Sequence, residues 1–182
     1  MRIATATITN FRNLSHAELT LSPRFTAFVG PNGQGKTNTL EALYFAAALR
    51  PLRSAPRSAL FREGSDDARV RLLAKRAATG LSHLLEVQLA PGRRKLIRDD
   101  KSTTAQRYLG VLVAIAFTPD DLELTKGGPD HRRRFMDRAL LNLQPSYLDH
   151  AMRYQRALKD RNRLLVDGAS DLQLEAYDDV LA

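Results

Sequence analysis

Residues Gly30-Pro31-Asn32-Gly33-Gln34-Gly35-Lys36-Thr37 spell the pattern G-x-x-x-x-G-K-[ST], and few short stretches constrain a fold so tightly. The pattern acquires chemistry only when a strand leads into it and a helix leads out. Phe25-Thr26-Ala27-Phe28-Val29 predicts a short buried strand. From Lys36 to Arg50, Leu40, Leu43, Tyr44, Ala47 and Ala48 recur at helical spacing, and Pro51 stops the run. A strand, a glycine loop and a helix in this order aim the backbone N–H groups of residues 33–37 at an anion, and the helix N-terminus adds positive partial charge. Lys36 would reach the β- and γ-phosphates of a nucleotide, and the Thr37 hydroxyl would bind Mg²⁺. Gly30, Gly33 and Gly35 permit close approach and positive φ. The competing reading is a glycine-rich turn that matches the pattern by chance.

The 182 residues can form one large domain, or one domain and the start of another. Hydrophobic residues at 43% and charged residues at 26% are ordinary for a globular chain. No apolar run approaches the roughly 18 residues of a membrane span, and Met1 leads directly into a strand pattern rather than a signal peptide. The expectation is a cytoplasmic protein with no membrane partner. The absence of cysteine excludes disulfides and thiolate metal sites, and His16, His83, His131 and His150 lack ligand spacing. A formal net charge of +8, carried mostly by arginine, points to an anionic partner.

Residues 2–9 are rich in β-branched side chains, Asn10-Phe11-Arg12-Asn13 turns the chain, and Ala17, Leu19 and Leu21 alternate with Glu18 and Thr20. Together they predict a hairpin ahead of the phosphate loop. The proline-punctuated loop from Arg50 to Arg57 carries Arg53 and Arg57, facing either solvent or a nucleotide or DNA. Strand patterns follow at 68–75, 82–89 and 94–98, with turns at Thr79-Gly80 and Pro91-Gly92. The last hairpin is basic, and Arg93, Arg94 and Lys95 are candidate DNA contacts. A short helix over 103–109 leads to Val111-Leu112-Val113-Ala114-Ile115-Ala116-Phe117, which predicts a central strand buried on both faces. Thr118-Pro119-Asp120-Asp121 has the form of a helix start, with Thr as N-cap and Pro at the first position, rather than a metal-binding strand end. After Gly127-Gly128-Pro129 the pattern is helical: 130–143, 145–166, and a segment opened by a Ser170-x-x-Gln173 capping box. That last segment reaches Ala182 without a stop signal, so the chain is expected to end within a helix. In the long middle helix, Leu148, Met152, Gln155, Leu158, Asn162 and Leu165 form a stripe opposite Arg153, Arg156, Arg161 and Arg163, and the stripe calls for a covering helix. Asp130 with Arg134, and Arg133 with Asp137, stand at i, i+4 spacing, so structural pairing on the helix surface is expected of Arg132-Arg133-Arg134 ahead of the alternative, DNA contact.

Asn10-Phe11-Arg12-Asn13, the phosphate loop followed by Asn38, Phe117-Thr118-Pro119-Asp120-Asp121-Leu122-Glu123-Leu124, and Lys126-Gly127-Gly128-Pro129 with Arg132-Arg133-Arg134-Phe135-Met136-Asp137 together resemble the bacterial RecF family of recombination mediators. The resemblance runs from Met1 to at least Leu165. It implies an α/β fold, the N-terminal lobe of an ABC-type P-loop ATPase head: a mixed sheet with antiparallel hairpins around the phosphate-loop helix over residues 1–127, then the start of a helical arm over 128–182. It further implies binding of ATP and Mg²⁺ by Gly30 to Thr37, with Arg12 and Asn13 beside the nucleotide. The implied partners are single-stranded and gapped duplex DNA, RecR with RecO in the same pathway, and a second copy in an ATP-dependent homodimer. The implied task is helping to load RecA at gaps during replication, repair and the SOS response.

In that family the signature motif and the Walker B acidic residues follow the arm, and neither pattern occurs in this sequence. The expectation is therefore a chain that grips ATP without hydrolysing it alone. The alternative is a DNA-binding or protein-interaction module whose phosphate loop is vestigial.

Overall fold

Period-two alternation builds the first layer. In β1 (Arg2–Phe11), Ala4, Ala6 and Ile8 point to a buried face while Thr5 faces solvent. The chain turns at Arg12 and Asn13 into β2 (Leu14–Thr20), pairing Ile8 with Ala17. β3 (Ala68–Lys75) buries Ala68, Val70, Leu72 and Ala74, and β4 (Ser82–Ala90) buries Leu85, Val87 and Leu89 on the same face. β5 (Arg93–Arg98) and β6 (Lys101–Ser102) complete an antiparallel sheet of order β2-β1-β3-β4-β5-β6. The computed structural model on which this rests describes residues 1–53, 56–168 and 170–181, with the side chains of Arg57, Asp120, Glu123, Asp171, Asp179 and Val180 outside the described residues.

Helix α1 (Lys36–Ala48) lies against β1, β3 and β4 on the buried face. Ala42, Ala46 and Ala47 bring its backbone close to the sheet, and Phe45 inserts beside Phe11 with ring centroids 5.9 Å apart. Each such aromatic contributes roughly 1.5–3 kcal/mol by burial. Leu49 ends the helix in the left-handed conformation (φ 56°), its N–H returning to Phe45. Short α2 (Ala105–Leu109), capped by Thr104, adds the buried ring of Tyr108 to the same core.

The antiparallel strands and α1 lie where the sequence predicts them. The two apolar runs 25–29 and 111–117, expected as strands, do not: neither has a ladder partner among the described residues. Phe25 and Val29 are 78% and 91% exposed, and Ile115 and Phe117 are 88% and 85% exposed. An apolar run signals a preference for burial, whereas a strand also requires a neighbouring backbone to satisfy its N–H and C=O groups.

The chain divides into two compact units, Met1–Asp121 and Leu122–Ala182. At the end of the first, the Asp121 carboxylate accepts hydrogen bonds from the Thr118 backbone N–H (2.6 Å) and hydroxyl (3.0 Å), consistent with a helix start. The second holds α3 (Glu123–Lys126), α4 (Pro129–Leu143), α5 (Tyr147–Val166) and α6 (Asp171–Leu181). Pro129 opens α4 with Asp130 in its first turn. The arginine pairing differs from expectation: Arg133 bonds Asp130 across one turn (3.1 Å), Arg134 donates to the Asp130 carbonyl, and Asp137 accepts the Tyr147 hydroxyl at 2.7 Å. The face of α5 covered by α6 also differs. Ala157 and Leu174 are buried there, and Arg161 pairs with Asp178 at 2.8 Å, while Met152 and Leu165 of the expected stripe stay 56% and 48% exposed. A small residue flanked by an ion pair permits closer helix approach than the bulkier stripe.

Candidate nucleotide site

Three pieces of backbone converge at the start of α1. The glycine loop takes φ of 146° at Gly30, 83° at Gly33 and 88° at Gly35. Gly35 is the costliest of these to replace, because its backbone is left-handed and a Cβ would stand 2.7 Å from Leu14 Cδ2 and 3.0 Å from Asn13 Oδ1. Gly35 precedes the helix without a side-chain cap, and no acidic residue occupies the first turn. The leading N–H groups of α1, which have no intrahelical acceptor, thus lack a side-chain cap as well, a geometry suited to an anion. Lys36 curls back over the loop, its Nζ donating to the carbonyls of Gly30 (2.7 Å) and Pro31 (2.6 Å). Pro31, Asn32, Gln34 and Thr37 are exposed along the same stretch.

The β1–β2 turn supplies the second piece. Asn13 donates its amide to the Gly33 carbonyl at 3.1 Å and accepts from the Asn38 amide at 2.8 Å. Arg12 adopts φ 55°, a strained choice for a residue with a Cβ. Its conformation is fixed from two sides: the backbone N–H donates to Leu60 O at 2.9 Å, and Nε and Nη2 donate to the two oxygens of Glu41 at 3.0 and 2.8 Å.

Glu41 is the centre of the third piece. Its side chain is fully buried on α1, and it also accepts from Arg53 Nη2 at 3.3 Å. Burial alone pushes its carboxyl up, but the Arg12 and Arg53 guanidiniums outweigh this and hold it below its ordinary value. Arg53 in turn donates to Asn38 Oδ1 at 3.1 Å, so a hydrogen-bonded chain runs from Glu41 through Arg53, Asn38 and Asn13 to the loop carbonyl of Gly33. Beside it, Arg12, Asn13, Asn38, Phe61, Arg62 and Glu63 line an open groove of about 640 Å³, a size within the range of small-molecule sites.

Glu41 and Asn38 escape a reading of the sequence. The available signal is a lone carboxylate on the helix face that also carries Ala42 and Phe45, where a charge requires a partner. Of the candidate DNA contacts, Arg53 bonds Glu41 and Asn38 while staying half exposed, and the side chain of Arg57 lies outside the described residues. Strand alternation separates the basic hairpin. Arg94 shares the face of Leu96 and donates to Leu49 O at 3.0 Å, whereas Arg93 and Lys95 project from the other face. Among the described residues, no cluster of three or more His, Cys, Asp or Glu could hold a metal, and no helix is long and apolar enough to cross a membrane.

Residues 1–72 match the AAA ATPase domain family model. The DNA replication and repair protein RecF of Myxococcus xanthus is 48% identical over 187 residues, an alignment covering 100% of this chain and 48% of that protein. Over its whole length the chain is strongly homologous to RecF. The RecF of Anaeromyxobacter sp. strain Fw109-5 is 42% identical over 174 residues, covering 95% of the chain and 47% of its own length. The chain thus spans about half the length of the curated relatives it matches. In three dimensions it resembles the recombination mediator protein RecF-ATPrS of the RecFOR pathway, with TM-score 0.91 and 26% identity over 99% of this chain and 50% of that one. A structure from work on ATP-driven dimerization and DNA-stimulated activation of SMC ATPases shares the fold, with TM-score 0.61 and 21% identity over 75% of this chain and 98% of that one. The chain therefore has the α/β fold of an ABC-type ATPase head, as its structural neighbours do.

Proposed function

We propose that residues 1–127 form the ATP-binding N-terminal lobe of a RecF-type head and that residues 128–182 begin its helical arm. The observation that carries this is the loop itself: a helix N-terminus open to an anion, Lys36 Nζ folded over the loop carbonyls, and Gly35 left-handed and packed against Leu14 and Asn13. These features suit a polyphosphate. Gly30, Pro31, Asn32, Gly33, Gln34, Gly35, Lys36 and Thr37 would hold it, with Arg12 and Asn13 alongside. Mg²⁺ fits the exposed Thr37 hydroxyl at the helix start, since this ion is commonly held by one or two protein groups together with substrate phosphates and water. When bound, it would neutralise phosphate charge.

By family likeness the protein acts in the cytoplasm on single-stranded and gapped duplex DNA, dimerises with ATP, and works with RecR and RecO to direct RecA to gaps. Arg93 and Lys95 are the best placed of the candidate DNA contacts. Hydrolysis by this chain alone is not expected, because no Walker B strand or signature motif is present in the sequence.

Binding of a fluorescent ATP analogue tests the reading. Lys36→Ala is expected to abolish it while DNA binding without nucleotide survives. Undetectable analogue binding by the unsubstituted protein would favour the alternative, a DNA-binding or protein-interaction module with a vestigial loop.

A further inference from the structure

Glu41 stands out because a fully buried carboxylate on an otherwise apolar helix face is shared by two arginines from separate parts of the chain. The two bonds are unequal. Arg12 engages both carboxylate oxygens at 2.8 and 3.0 Å and is 16% exposed, whereas Arg53 makes one contact at 3.3 Å and is 49% exposed. Arg12 is therefore fixed, while Arg53 is held loosely enough to respond to its neighbours. Its second bond goes to Asn38, which donates to Asn13, which donates to the carbonyl of Gly33 inside the phosphate loop.

We infer that Glu41 is a positioning residue of the nucleotide site, one that never touches the nucleotide but sets the conformation of the phosphate loop through Arg53, Asn38 and Asn13. This inference rests on the proposed binding of a nucleoside triphosphate at residues 30–37. Its distinctive content is a sign. A carboxylate near a triphosphate repels it, so on charge alone neutralising Glu41 strengthens binding. Positioning predicts the reverse: with Glu41 neutral, Arg53 loses its anchor, the amide chain loosens, and the loop must be reordered by the ligand. A purely structural role predicts a lower melting temperature with unchanged affinity in the folded protein.

The test measures affinity of the whole protein for a fluorescent ATP analogue, at a temperature where circular dichroism shows each variant folded. Glu41→Gln is expected to weaken binding about tenfold, the scale of one lost charge-assisted hydrogen bond, with partial recovery in Glu41→Asp. Unchanged or tighter binding by Glu41→Gln overturns the inference while leaving the phosphate-loop reading intact. No binding by the unsubstituted protein overturns both. Should Glu41→Gln not fold, Arg53→Gln and Asn38→Ala carry the test, since both positions are partly exposed. If they belong to one chain of bonds, each weakens binding and the double variant is little worse than either alone. Fully additive effects, or no effect from either, overturn the inference.

Discussion

The side-chain amide of Asn13 donates to the backbone carbonyl of Gly33 at 3.1 Å, tying the β1–β2 turn to the phosphate loop across 20 residues of sequence. The same turn sets the packing limit at Gly35. Gly35→Ala would place its Cβ 2.7 Å from Leu14 Cδ2 and 3.0 Å from Asn13 Oδ1, at a φ of 88°. The Leu14 methyl can swing away, but the amide oxygen cannot move without releasing Asn38, and the left-handed backbone adds strain of about 1–3 kcal/mol. The expected result is loss of at least tenfold in ATP-analogue affinity together with a lower melting temperature. Gly64→Ala is the control: its φ is 76° but nothing lies within 4 Å of the added Cβ, so it should lose stability through backbone strain and leave affinity unchanged.

Stability should also depend on pH through Glu41. Its carboxyl titrates below the ordinary value of 4.5 in the folded protein, because the arginine partners outweigh the burial that raises it. A depressed folded value means that the ionised form favours folding. Its contribution is complete above 4.5 and disappears as pH falls through the lower folded value. Asp99 adds to the same trend: burial raises its carboxyl, while the Leu84 N–H, His83 and Arg98 together outweigh this and hold it lower. Urea melts at stepped pH should show stability falling below about pH 4.5, with a shallower fall in Glu41→Gln than in the unsubstituted protein. Equal slopes would remove Glu41 from the account of acid sensitivity.

The Phe11–Phe45 contact is the junction between sheet and helix, with the two residues 0% and 3% exposed. Phe45→Ala removes a ring from a core whose neighbours on α1 are already small alanines, leaving little nearby volume to collapse into the gap. A loss of about 3–5 kcal/mol is expected, measured by denaturant unfolding. Because Phe45 lies on α1 behind the loop, analogue binding should weaken only under conditions where the variant is partly unfolded.

Local pattern accounts for much of this architecture. The alternation in 68–75, the Pro91-Gly92 turn and the Gly127-Gly128-Pro129 break place β3, the β4–β5 hairpin and α4 nearly to the residue, because each depends on neighbours close in sequence. What the sequence hides are relations between distant positions. Glu41 reads as an ordinary helix carboxylate until Arg12, 29 residues away, is seen against it. The runs 25–29 and 111–117 declare apolar character but not which backbone would pair with them. Arg93-Arg94-Lys95 reads as one basic cluster, although strand geometry turns Arg94 toward the end of α1.

That last division makes a prediction about DNA. Arg93 and Lys95 project from one face of β5, so neutralising both should weaken DNA binding and reduce the salt dependence of the logarithmic affinity by about one unit per lost phosphate contact. Arg94 holds the carbonyl of Leu49, where the left-handed residue closes α1. Arg94→Gln should therefore lower the melting temperature while leaving the salt slope unaltered. The measurement is a titration of a gapped duplex at several salt concentrations, paired with thermal melts. An unchanged slope in the Arg93/Lys95 double variant would remove this hairpin from the interface, and a reduced slope in Arg94→Gln would show that the buried-face arginine reaches phosphate after all.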